Sequence, residues 1–192
     1  MGRTIAIANQ KGGVGKTTTA INLSACLAEA GQKVLIVDFD PQGNATSGFG
    51  LEKGSIENTV YQMLIGESTV KECIEKEVQE NLDILPSDVN LAGAEVELLE
   101  MENKETLLKN NLKKIKNQYD FIIIDCAPVG MISDAIPVGN AVDGTIFAIS
   151  SQDTNKKDAA NCVKLLQRNN VNVLGSVLTK AKSLSGSHYY YY

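Results

Sequence analysis

The sequence predicts a doubly wound α/β fold, a mostly parallel sheet flanked by helices on both faces. Short β-branched runs alternate with longer amphipathic stretches along the chain, the order that crossover-connected parallel strands require. The runs are apolar on successive residues, as strands covered on both faces are. The length of 192 residues fits one domain of about 100–200 residues, with enough buried surface to need no disulfide or metal staple.

Taken in order, Thr4–Ala8 reads as a buried strand and Thr17–Ala30 as a helix, with Ile21, Leu23, Ala25, Leu27 and Ala28 among its apolar positions and Gly31 as its stop. Lys33–Asp38 is a second strand, and residues 40–55, rich in Gly, Asn and Ser, a loop. Ile56–Ile65 and Thr69–Lys76 read as helical, and Leu82–Pro86 as a short strand. Leu91–Glu100 and Lys104–Asn117 read as helices, and Phe121–Asp125 and Gly144–Ile149 as strands. Asp153 or Thr154 is expected to cap a helix through Arg168, turning Ala160, Val163, Leu165 and Leu166 inward. Val171–Leu178 closes a set of six strands. Residues 1–180 read as one domain and 181–192 as a flexible tail.

Composition removes several classes of function. With 18 Lys+Arg against 23 Asp+Glu, the net charge of −5 argues against a protein that coats nucleic acid. No apolar run approaches the roughly 18 residues of a membrane span, and Met1-Gly2-Arg3-Thr4 enters a strand with no secretory segment. Cys26, Cys73, Cys126 and Cys162 form no C-x-x-C pair and read as buried thiols in a reducing cytoplasm. His188, the single histidine, cannot build a zinc site alone. Lys113, Lys114 and Lys116 read as a solvated helix face.

Ligands of such sheets sit at the carboxyl ends of strands, so the chemistry is expected just after Ala8, Val37 and Ile124. After the first strand comes Asn9-Gln10-Lys11-Gly12-Gly13-Val14-Gly15-Lys16-Thr17-Thr18. Gly12, Gly13, Val14 and Gly15 let the backbone curl so that several N–H groups face one phosphate, at the positive end of the following helix. Lys16 places a cation at the β/γ-phosphates, and the Thr17 hydroxyl suits Mg²⁺. Thr18 completes the loop. G-x-x-x-x-G-K-[ST] is met except at its first glycine, where Gln10 stands. Asp38 and Asp40 close the second strand and Asp125 closes the strand before Cys126. Acids at one sheet edge behind a phosphate loop suit a hard cation that takes oxygen ligands. Asp125 is expected to hold Mg²⁺ through water, with Asp38 supporting the same shell.

Lys-Gly-Gly-Val-Gly-Lys-Thr, together with Asp38-Phe39-Asp40-Pro41-Gln42-Gly43-Asn44 and the segment to Gly48, resembles the deviant Walker A ATPases of the ParA/MinD type over residues 3 to about 127. The resemblance implies a P-loop NTPase fold, an ATP and Mg²⁺ cofactor set, weak ATPase activity and an ATP-driven homodimer. Within it Lys11 reaches the partner's phosphates, where a second cation offsets developing charge, and Asp40 orients the attacking water. A protein activator and a nucleic-acid or membrane partner are not named by any residue pattern here.

From Asp125-Cys126-Ala127-Pro128 onward the style changes. Val129-Gly130-Met131-Ile132-Ser133-Asp134-Ala135, Asn172-Val173-Leu174-Gly175 and the terminal Tyr189–Tyr192 resemble the C-terminal half of bacterial tyrosine kinases. The two halves thus resemble two branches of one superfamily, with the switch near Ala127–Val129, as in a recombinant or chimeric chain. The second resemblance implies an alternative output, autophosphorylation of the tyrosine tail, with Asp40 as base. It lacks that family's N-terminal assembly helix, and Thr179 stands where that family has Asn before Lys180. A third reading is a nucleotide-binding switch without useful turnover.

Overall fold

The structure, a computed structural model, describes residues 2–98, 106–128, 138–139 and 141–181. Among the described residues there are seven strands: β1 Arg3–Ala8, β2 Val34–Phe39, β3 Glu75–Gln79, β4 Leu82–Leu85, β5 Phe121–Cys126, β6 Gly144–Ser150 and β7 Val173–Thr179. They form one sheet in the order β3-β4-β2-β5-β1-β6-β7. Every pairing is parallel except β3 with β4. The helices described include α1 Lys16–Glu29, α2 Asn44–Gly48, α3 Val60–Ile65, α4 Leu91–Glu97, α5 Leu107–Lys113 and α6 Lys156–Arg168.

The two-residue period of β2 divides the core. Leu35 and Val37 face a cluster built from Met63, Leu91, Leu108 and Leu112, while Val34 and Ile36 face one containing Ala20 and Ala28 of α1. Both faces are therefore covered, which is why β2 reads as an unbroken apolar run. A smaller cluster seats Ala159, Cys162 and Leu166 of α6 on Phe147 and Val171.

Several expectations are corrected. Thr69–Lys76 is not a helix. Thr69 and Glu72 close a single turn through the Thr69 N–H and hydroxyl, both donating to Glu72 Oε2 at 2.8 Å. The chain then enters β3, which pairs antiparallel with β4. Asp83 holds this seventh strand in place by accepting from Lys76 Nζ, the Glu77 N–H and the Tyr119 hydroxyl. The loop 40–55 contains α2 and a 3₁₀ turn at Lys53–Ser55, and the Ile56–Ile65 helix starts only at Val60, after a Thr59/Gln62 capping box. Lys104–Asn117 is broken into α5 and a 3₁₀ turn at Lys116–Gln118.

The last helix is capped by Asn155, whose side chain accepts from the Lys157 N–H, and not by Asp153 or Thr154. It buries Ala159 instead of Ala160, because a stripe at i, i+3 and i+7 meets Cys162 and Leu166 on one face. Among the cysteines, Cys73, Cys126 and Cys162 are buried, but Cys26 is exposed on α1. Burial pushes the Cys73 thiol up to about 11 and Cys126 to about 12. Lys113 and Lys114 are exposed, as expected, whereas Lys116 pairs with Asp143 at 2.7 Å. Val129–Ala135, His188 and Tyr189–Tyr192 lie outside the described residues. No described helix is long and apolar enough to cross a membrane.

Candidate active site

The sheet order puts β1 between β5 and β6. The loop after β1 therefore opens at the centre of the sheet's carboxyl edge, beside the ends of β5 and β2. Asn9, nearly fully buried, holds the loop's first turn: its Oδ1 accepts the Lys11 N–H at 2.8 Å and its Nδ2 donates to the Ala148 carbonyl of β6. Val14 is fully buried and anchors the far side. Gly13 and Gly15 take left-handed φ angles of 69° and 91°, which favour glycine. Gly15 caps α1 without a side-chain bond, and the first intrahelical bond is Thr19 N–H to Gly15 O at 2.9 Å. The N–H groups of Lys16, Thr17 and Thr18 thus precede the helix ladder, and with the helix dipole they suit an anion.

Lys16 is only 5% exposed, and its Nζ donates to the Lys11 carbonyl at 3.1 Å. Burial lowers its pKa, and the neighbouring Asp125 and Asp40 carboxylates act in the opposite direction. Lys11 is exposed. Its ammonium donates to the Asp153 carbonyl at 2.6 Å, across the turn after β6. That turn is clasped to the end of β7, where Lys180 pairs with Asp153 at 2.7 Å and Ser151 and Gln152 donate to the Lys180 carbonyl. Thr179 Oγ1 donates to the Val14 carbonyl at 2.6 Å, so the last strand touches the phosphate loop itself.

The three predicted acids are all buried at this edge, and Asp38 and Asp125 are register partners on β2 and β5. Their environments differ. Asp38 Oδ2 accepts from the Thr46 N–H at 2.8 Å and hydroxyl at 2.7 Å, and Oδ1 from the Asp40 N–H at 3.3 Å. Burial raises its pKa against these bonds. Asp40 Oδ1 accepts the Gln42 N–H at 2.9 Å. Asp125 is fully buried and neither of its oxygens has a hydrogen-bond partner. Its pKa is pushed up to about 7, chiefly by burial and then by the Asp38 and Asp40 charges. The nearby Thr17 hydroxyl and Lys16 favour the ionised form, but Thr17 does not reach hydrogen-bond geometry. Among the described residues, no three acidic, Cys or His side chains surround one point.

Sequence reasoning singled out the loop and the acids but not Asn9, Thr46 or the Asp153–Lys180 clasp. Asn9 directly precedes the loop and was readable as its hinge. The other contacts join residues far apart in the chain and leave no local pattern.

A family model described as an AAA domain matches residues 2–178, across the change of style near residue 128. The sporulation initiation inhibitor protein Soj of Bacillus subtilis is 55% identical over 128 residues, 67% of this chain and 51% of that protein. The chain spans about half the length of the curated relatives it matches. The crystal structure of cobyrinic acid a,c-diamide synthase from Mycobacterium smegmatis with a bound ATP analog and magnesium superposes with a TM-score of 0.81 at 31% identity, over 93% of this chain and 75% of that one. The kinase domain of the Escherichia coli tyrosine kinase ETK superposes with a TM-score of 0.80 at 23% identity, covering 99% of this chain and 72% of its own, a likeness of fold alone. The loop, the acids behind it and these matches agree: the chain belongs to the AAA domain family of ParA/MinD-type P-loop ATPases.

Proposed function

We propose that this chain binds Mg²⁺-ATP, hydrolyses it slowly and dimerises in the ATP state, acting as a switch of the partitioning type. One observation carries the reading. Asp125 is fully buried with both oxygens unpartnered, beside a loop whose N–H groups and Lys16 suit phosphates. A buried carboxylate without partners is costly, and a cation balances it. The residues fit Mg²⁺: the Thr17 hydroxyl and Asp125 would hold it with water, and Asp38 stands behind. When bound, Mg²⁺ neutralises charge on the β- and γ-phosphates.

The chain's own residues do the rest. The loop N–H groups bind the phosphates, and Lys16 adds a cation at the β/γ bridge. Asp40, held by its bond to the Gln42 N–H, orients a water for in-line attack on the γ-phosphorus, releasing ADP and inorganic phosphate. Lys11 leaves the Asp153 carbonyl and reaches the phosphates of a second copy. The partitioning role is drawn from relatives such as the chromosome-partitioning ATPase Soj of Treponema pallidum, 50% identical over 128 residues. Incubation with γ-labelled ATP and Mg²⁺ tests the activity. Free phosphate is expected, absent in Lys16→Ala. Label retained on the protein in place of free phosphate would make the chain an autokinase.

A further inference from the structure

Thr46 lies outside the phosphate loop, yet its hydroxyl joins two segments of the site. It donates to Asp38 Oδ2 at 2.7 Å and accepts the Ser87 N–H at 3.0 Å. Its own N–H also donates to Asp38 Oδ2. Asp38, Thr46 and Ser87 are all fully buried. Ser87 begins the turn after β4, which carries Val89, 75% exposed. The same turn presses on the Asp38–Gly48 segment elsewhere: a Cβ on Gly43 would lie 2.7 Å from the Ser87 carbonyl. The bond to Thr46 runs from the Ser87 backbone N–H; the Ser87 hydroxyl itself is buried without a partner. Among the described residues, the Thr46 hydroxyl links the acid near the end of β2 to the backbone of the turn after β4.

We infer that Thr46 is a positioning residue for the reaction proposed above, and that it couples the Asp38–Asp40 segment to the surface turn at residues 87–90. The inference rests on that functional reading. With the hydroxyl in place, Asp38 is fixed by two donors from one residue, and its Oδ1 orders the Asp40 N–H. Asp40 then presents its carboxylate from a defined backbone. Without the hydroxyl, Asp38 loses a charge-assisted bond and the Ser87 N–H is left buried without its acceptor, a pair of losses that loosens both segments. Thr46 is fully buried and spends its N–H and hydroxyl on Asp38 and Ser87, so it offers no group to the substrate and KM is expected to stay close to that of wild type.

The test compares wild type, Thr46→Val and Thr46→Ser as full chains. Thr46→Val keeps the side-chain volume and is expected to lower kcat about tenfold, one lost charge-assisted bond, with KM for ATP within about twofold. Thr46→Ser, which restores the hydroxyl, should recover most of kcat. A Thr46→Val kcat equal to wild type, or a Thr46→Ser loss as large as that of Thr46→Val, overturns the positioning role. Amide exchange gives a second readout that needs no turnover. Adding Mg²⁺-ATP to wild type should slow exchange at residues 87–90 as well as at 40–48. Thr46→Val should keep the change at the phosphate loop and lose it at 87–90. No change at 87–90 in wild type overturns the coupling, whether or not either variant folds. Absence of both hydrolysis and ATP-dependent protection at the loop would instead refute the functional reading.

Discussion

Asp38 and Asp125 face each other across adjacent parallel strands as register partners, yet three donors satisfy Asp38 and none satisfies Asp125. The pair divides two tasks within one strand register. Asp38 holds the protein's own loop in place, and Asp125 is left open toward the phosphate loop.

That openness has a pH signature in metal-free protein. The folded pKa of Asp125, about 7, lies above its ordinary value of 3.8. The folded state therefore holds a proton that the unfolded state releases, and stability falls as pH rises between about 4 and 7. Asp125→Asn removes this contribution, so its stability advantage should grow across that window to at most about 4 kcal/mol. Paired urea titrations in chelator from pH 4 to 8 measure the difference. An advantage that is constant with pH would mean Asp125 is ionised throughout.

Lys16→Ala deletes the buried cation of the loop. ATP affinity should fall roughly 100-fold or more, since a charge-assisted phosphate contact is lost from a desolvated site. Calorimetric titration gives the answer, and an unchanged affinity would remove Lys16 from the nucleotide site.

Lys11→Ala should leave ATP binding within about threefold, because one exposed lysine contributes little to the monomer's own site. Hydrolysis and ATP-dependent dimerisation should both drop. Asp40→Ala should do the opposite, accumulating an ATP-bound dimer that turns over slowly. Light scattering of the two variants with and without ATP separates these outcomes. Identical monomer–dimer behaviour in both would leave Lys11 with only its contact to the Asp153 carbonyl.

Tyr119→Phe is a control at the opposite end of the sheet. The Tyr119 hydroxyl donates to Asp83 at 2.6 Å and accepts from Lys76 at 2.7 Å, bonds that tie β3 to the start of β5. Losing them should cost about 1–2 kcal/mol by urea denaturation, with ATP affinity unchanged. A parallel loss of affinity would show that the amino edge of the sheet influences the nucleotide edge.

Deleting residues 189–192 should keep the hydrolysis rate within about twofold, because no phosphate or Mg²⁺ contact is assigned to the tail. Mass spectrometry after incubation with Mg²⁺-ATP checks the rival output. Stoichiometric phosphate on Tyr189–Tyr192 that depends on Lys16 would favour the autokinase.

Legibility followed burial. The strands ending at Asp38 and Asp125 are apolar along their length because helices cover both faces, so their type and chemical ends could be read directly. β3 could not. Its Glu75-Lys76-Glu77-Val78-Gln79 stretch sits at the sheet edge with largely exposed side chains, and its strand conformation comes from Asp83 across the hairpin. The Thr69–Glu72 pair imitates a helix start but closes one turn only. At the site, the phosphate loop was legible because its glycines and Lys16 are contiguous. Thr46 to Ser87 and Thr179 to Val14 span 41 and 165 residues, and contacts at such separation have no spacing rule.

The central place of β1 constrains how this chain can be recombined. Its neighbours are β5, before the change of style near residue 128, and β6, after it. A donor segment grafted after residue 128 must supply a strand that accepts the alignment Ile5 to Gly144 through Ala8 to Phe147. It must also supply a final strand whose last hydroxyl meets the Val14 carbonyl. Tolerance to exchange is thus set by hydrogen-bond register and one terminal side chain. Libraries built at this junction should be sorted by strand alignment first.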